Sequence, residues 1–235
     1  MRLAPLVLFV ATVASAQTTP AATDLGVGAA FVLAGALVSP LDTRVHDLMH
    51  QPSVQSNVAL RRTANTLNFL AIPGTGAIAL GTYFGGQLGH DRGLAEIGFH
   101  GGESIILSEL VTITLKGILG RDRPFASPTD QYNFHPGTGF TQDLRGSLPS
   151  AHATAAFALA ASASVESARW WRGSSWIGPV AYAGAGSMAI ARLYSNRHWL
   201  SDALAGAGIG MATGLLVSHF SASHPRNALD RAFLP

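Results

Sequence analysis

Cysteine is absent from this sequence, which excludes disulfides and thiolate-bound metals and leaves the redox compartment unmarked. Charge is scarce, since only 12% of the 235 residues are Asp, Glu, Lys or Arg, about half the usual share. A formal net charge of +2 is too small to support nucleic-acid binding, and nucleic acid is not expected as a partner. Lysine is nearly missing. Of the 15 basic residues, Lys116 alone is a lysine and the rest are arginines. Strand-like alternation and solenoid-period repeats are lacking as well.

What the chain has in abundance is apolar residues, at 48%, which excludes disorder. Its length suits one packed domain. Arg2, the apolar run Leu6–Val13 and the small residues Ala14-Ser15-Ala16 read as a signal peptide over residues 1–16. A polar lead-in (17–24), a helical domain (25–220) and a C-terminal tail (221–235) are expected to follow. Helices are expected near Leu25–Val38, Asp42–His50, Val54–Gln87 with a break at Pro73-Gly74, Gly93–Leu119, Pro149–Arg169, Ile177–Leu193 and Ser201–Phe220. The fold class is therefore all-α, a single bundle of about six core helices. Glycines in Gly206-Ala-Gly208-Ile-Gly210 weaken helix propensity but let helix backbones approach closely. Phe125 to Leu148 has no helical period and reads as a long lid or binding loop.

Three patterns carry chemistry. In Lys116-Gly-Ile-Leu-Gly-Arg121-Asp-Arg123-Pro124, two helical turns separate Lys116 from Arg123, and Pro124 fixes where the helix stops. Lys116, Arg121 and Arg123 make a natural oxyanion clamp; the plainer reading is a basic helix C-terminus. In Ser147-Leu-Pro149-Ser150-Ala151-His152, Ser147 can cap a helix with Pro149 in its first turn. The N–H groups of Ser150 and Ala151 then face an anion that His152 also reaches, unless His152 is simply a surface histidine. In Arg192-Leu-Tyr-Ser-Asn-Arg-His198-Trp-Leu-Ser-Asp202, four residues separate His198 from Asp202. A carboxylate on one imidazole nitrogen leaves the other free to attack, and Arg192 adds a cation; an exposed ion pair is the alternative.

In this order and spacing, the three patterns resemble those of type 2 phosphatidic acid phosphatases, bacterial class A acid phosphatases and vanadium haloperoxidases. The resemblance covers roughly Gly93 to Phe220. It implies that Lys116, Arg123 and Arg192 hold phosphate oxygens, helped by Ser150 and the N–H of Ala151. It implies that His198 attacks phosphorus, that Asp202 orients it, and that His152 serves the leaving group and then the water. The implied activity is metal-independent hydrolysis of phosphate monoesters, lipid phosphates or diphosphates through a phosphohistidine. No cofactor is expected; vanadate enters only if the chain is a haloperoxidase, and a non-catalytic envelope protein is the third possibility. Ala151 stands where the family usually has glycine, and Ala191 where it has serine.

Other signals are weaker. His46-Asp-Leu-Met-His50 imitates a zinc-protease helix, but aspartate replaces glutamate and Pro52 follows at once; no metal is expected there. His100 and Glu103 read as a hydrogen-bonded pair in the core or at its rim. Trp170-Trp171 beside Arg169 and Arg172 suggests an edge touching lipid head groups. Glu96, His100, Glu103 and Glu109 on one helix argue against a membrane span. The expectation is an exported protein of the periplasm or envelope, free or membrane-associated, with an integral membrane protein as the alternative.

Overall fold

The computed structural model describes residues 20–70, 72–225 and 227–234. Among them are ten α-helices, with one isolated bridge between Arg121 and Phe134 in place of any strand. The long ones are α1 (Pro20–Val38), α5 (Ile72–Gly89), α6 (Arg92–Leu119), α7 (Ala151–Trp170), α8 (Ile177–Tyr194) and α9 (Leu200–Ser223). Shorter helices are α2 (Asp42–Met49), α3 (Pro52–Gln55), α4 (Val58–Leu70) and α10 (Ala228–Phe233). α7 is central and packs on α6, α8 and α9; α1 covers α9, and α5 covers α6. The all-α bundle with six core helices is what the sequence pattern led us to expect.

Local chemistry sets the boundaries. Asp91 caps α6 by accepting from Leu94 N at 3.0 Å, and Gly120 ends it in the left-handed region at φ 61°. Asn57 caps α4 through Ala59 N and Leu60 N. Pro73 lies in the first turn of α5, so the chain breaks just before it, not at it. Glycines make the α1–α9 seam: a Cβ on Gly208 would meet Gly28 O at 2.6 Å.

The α6–α7 interface explains how polar residues fit in an apolar chain. Glu96, His100, Ser104, Ser108 and Thr112 recur every four residues and form a buried polar stripe that winds slowly around α6 towards Lys116. That stripe meets Thr154, Ser162 and Glu166 of α7. Thr112 donates to Thr154 at 3.1 Å, Ser104 and Ser162 bond at 3.0 Å, and His100 Nδ1 pairs with Glu166 at 2.8 Å. The opposite face of α6 exposes Ile106, Leu107, Leu110 and Ile113. Leu33 and Leu37 of α1 and Leu80, Phe84 and Leu88 of α5 are exposed too. Polar inside and apolar outside is the distribution a bilayer imposes. The ionisable residues that argued against a membrane belong largely to the buried interface, so that objection falls. Pro20–Met49 and Leu200–Ser223 are long and apolar enough to cross a membrane, with the bent α4–α5 pair as a third candidate.

Other expectations shift by a few residues. The signal peptide falls outside the described residues. The lead-in is already helical from Pro20. The tail carries α10, held where Asp230 meets His100 Nε2 at 3.3 Å and Tyr83 donates to Phe233 O at 2.8 Å. Ser147 does not cap α7; Ser150 does, accepting from Ala153 N at 3.5 Å. Pro149 precedes the cap and lies outside the first turn.

Candidate active site

The three patterns meet at one end of the bundle. α6 delivers Lys116 in its last turn, where Nζ donates to the carbonyls of Gly146 and Ser147. Beyond Gly120 the extended chain turns Arg123 inward. Its Nη2 donates to Asp143 Oδ1 at 2.8 Å, its Nε to Asp143 O at 2.7 Å, and its Nη1 to His198 Nε2 at 3.3 Å. Arg121 does not join this clamp, contrary to the sequence reading. It faces away and bridges Asp42 Oδ2 at 2.8 Å, Ser201 Oγ at 2.7 Å and Asp202 Oδ1 at 2.6 Å. Two buried carboxylates outcompete a solvated anion site for a guanidinium that is itself buried.

α7 delivers Ser150, Ala151 and His152. Ser150 N–H is taken by Asp202 O at 3.0 Å, so of the two amides expected to face an anion only that of Ala151 is left at the start of α7. Ser150 Oγ uses a lone pair for the cap and keeps its proton to donate.

The short segment between α8 and α9 carries His198. Asn196 adopts φ 59° and its Oδ1 accepts from His46 Nε2 at 3.1 Å, so the His46–His50 pair, stacked with ring centroids at 4.3 Å, braces this turn. His198 Nδ1 lies 3.6 Å from Asp202 Oδ2, just beyond hydrogen-bond reach. Asp202 is fixed from all sides: Trp199 N donates to it at 2.9 Å, Ser147 Oγ at 2.5 Å, and Arg121 as above. The sequence reading missed Asp42, which accepts from Arg121 and from Ser201 N at 2.9 Å. An aspartate opening a helix gave no sign of this.

Arg192 ends α8 and donates to Asn68 Oδ1 of α4 at 3.0 Å, a positioning contact also unseen in the sequence. Its neighbour Ala191 is buried against Ala64, in an apolar contact where a hydroxyl would have to find a partner. Arg197 is a further cation that sequence reasoning passed over, although it stands beside His198 in the chain. It lies 3.6 Å from Asp143 Oδ2 and over the Phe125 ring.

Electrostatics tie these groups together. Burial above all, then Arg192, Lys116, Arg123 and Arg197, push the His152 imidazole down to about 3. Burial, with Lys116 and Arg123 nearby, also holds His198 well below its ordinary range, against the pull of Asp202. Cations gathered at one end of the bundle around two imidazoles that burial keeps neutral are suited to binding a phosphoryl group and attacking it.

Other candidates carry less. A cavity of about 680 Å³ is lined by Asp24, Glu103 and His219, but His219 lies about 25 Å along α9 from Asp202, so this cavity is remote from the clustered cations and imidazoles. His100 is bonded to Glu166 and Asp230, not to Glu103. Glu96, His100 and Glu166 approach within 4.8 Å, yet Arg92, Arg169 and Trp170 already occupy the carboxylates. Trp170 is thereby tied to α6.

The model of the PAP2 superfamily matches residues 99–226, a stretch that contains all three patterns. A 70-residue stretch is 39% identical to a lipid A 1-phosphatase of Porphyromonas gingivalis. It covers 30% of this chain but only 15% of that protein. The crystal structure of a transmembrane PAP2 type phosphatidylglycerolphosphate phosphatase from Bacillus subtilis has a similar fold, with a TM-score of 0.60 and 18% identity over 86% of this chain and 98% of that one.

Proposed function

This chain belongs to the PAP2 superfamily, and from that premise we propose that it hydrolyses phosphate esters, with His198 as the nucleophile. The observation that carries the reading is the line Arg123–His198–Asp202, in which a buried imidazole stands between a cation and a fixed carboxylate.

The phosphate group enters between Lys116, Arg123 and Arg192, with Ser150 Oγ and Ala151 N–H as further donors. As a phosphate oxygen takes the Nη1–H of Arg123, the His198 Nε2 lone pair is released toward phosphorus. The N–P bond forms while the bond to the leaving oxygen breaks, and His152 relays to that oxygen the proton that a monoanionic phosphate brings. His152 then takes a proton from water, whose oxygen displaces phosphate from His198, and passes it to the departing phosphate. Both imidazoles are then neutral again, as in the free enzyme. The side-chain cations supply the charge stabilisation of the transition state, so the reaction needs no metal, and EDTA leaves it intact.

The apolar girdle favours a lipid phosphate as substrate, held in a bilayer that α1 and α9 cross. Both named relatives carry a phosphorylated lipid in their names. α1 runs antiparallel to α9, from Asp24 beside His219 to Gly35 beside Ser201. A crossing α1 therefore puts residue 20 and the site on opposite faces.

His198→Ala tests the mechanism. Purified in detergent, it should lose hydrolysis of p-nitrophenyl phosphate and of a phosphatidic acid micelle while keeping its helical circular dichroism. Retained turnover overturns the assignment.

A further inference from the structure

The long segment between the first two patterns contains one side chain whose placement phosphate binding leaves unexplained. Asp143 opens a short 3₁₀ turn. One carboxylate oxygen pairs with Arg123 Nη2 at 2.8 Å and the other lies 3.6 Å from Arg197 Nη1. The same carboxylate is close enough to act electrostatically on Lys116 and Arg192. A single acid thus pairs with Arg123, stands beside Arg197 and acts at longer range on Lys116 and Arg192.

We infer that Asp143 is the resident counter-anion of the phosphate site, displaced by the incoming phosphoryl group, and that it selects monoesters over diphosphates. The inference rests on the phosphate-site reading above. Its physical basis is threefold. The carboxylate engages the guanidinium edge that a phosphate oxygen would take, since both anions match that fork. The Asp143 side chain is 72% exposed while that of Arg123 is 10% exposed, so the acid sits at the mouth of the site and can swing into water. An exposed pair of this kind is weak and easily broken. Finally, the backbone is held independently of the carboxylate. Arg123 Nε donates to Asp143 O at 2.7 Å, Arg123 N to Leu144 O at 2.8 Å, and Gly146 N to Asp143 O at 3.1 Å. The side chain can leave without the turn unfolding.

Selectivity follows from where the charge goes. A monoester buries its one phosphoryl group among the cations and presents an uncharged leaving group to the mouth. A diphosphate places its second phosphate there, beside the displaced Asp143, where like charges repel.

The test is calorimetric titration of the full chain in detergent with orthophosphate and with methylene diphosphonate, comparing wild type with Asp143→Asn. The exposed position makes the variant safe for folding, and binding is read without turnover. The expected result is threefold to tenfold tighter orthophosphate binding in the variant and a larger gain for the diphosphonate. Unchanged or weaker orthophosphate binding overturns the counter-anion role and makes Asp143 a positioning residue for Arg123. A diphosphonate gain no larger than the orthophosphate gain overturns the selectivity. Wild type without phosphate affinity removes the parent reading and this one together, whereas affinity unmoved by the substitution removes only this one.

Discussion

Arg123 Nη1 donates to His198 Nε2 at 3.3 Å, and a guanidinium has no lone pair with which to accept. His198 is therefore held as the tautomer with its proton on Nδ1, directed at Asp202 Oδ2 3.6 Å away. Under the proposed mechanism this puts the attacking lone pair on the correct nitrogen before substrate arrives, capped by the same cation that would hold the phosphate. Closing the 3.6 Å gap as positive charge develops on the imidazole lets Asp202 act most strongly after attack has begun.

Asp202→Asn should lower kcat about 10³-fold to 10⁴-fold, because an amide can present its N–H to Nδ1 and favour the wrong tautomer. KM should change little, since Asp202 does not face the phosphate. Steady-state kinetics with p-nitrophenyl phosphate decides this, and a loss under tenfold would show that Asp202 does not set the tautomer.

The pH dependence follows from the depressed imidazoles. With a value of about 3, His152 is neutral in the free enzyme from about pH 5 upward, and His198, held well below its ordinary range by burial, is neutral near pH 7 as well. Neutral is the form in which His198 attacks, but His152 must carry a proton to give one. That proton must come with a monoanionic substrate. A phosphate monoester loses its second proton near pH ~6, and kcat/KM reports free enzyme and free substrate. We expect kcat/KM to be level from pH 5 to 6 and to fall about tenfold per unit above that. A profile rising from pH 6 to 8 would overturn the proton inventory.

Asp42→Ala should cost about 3 kcal/mol of stability or more. It strips Arg121, 2% exposed, of one of its two carboxylates and leaves Ser201 N without its acceptor. Thermal unfolding in detergent measures the loss, and Asp42→Asn should lose less. Equal melting temperatures for Asp42→Ala and wild type would show that the Asp42–Arg121 pair is not a brace.

The fold class was legible because helical period and caps are local. α6 and α9 lie within a few residues of where their patterns place them. The site was legible because its chemistry is carried by rare residues in a fixed order, the lone lysine at Lys116 foremost. Less legible were the groups that act through others. Asp42, Asn68 and Asp143 are ordinary acids and amides in the sequence, and their partners lie 79, 124 and 20 positions away. Arg121 was misread for the same reason: beside Arg123 in the chain, it belongs to a different network in space. Membrane association was only half legible, because composition counts ionisable groups without saying which way they face.

By itself the sequence determined the helices, their small-residue seams and the three patterns of candidate site residues, since each depends on a few adjacent residues. Only the tertiary structure decided which arginine braces and which binds, which nitrogen of His198 is free, and that the polar faces point inward. Those outcomes depend on competition among groups far apart in the chain for the same buried partners, and only the folded arrangement settles a competition of that kind.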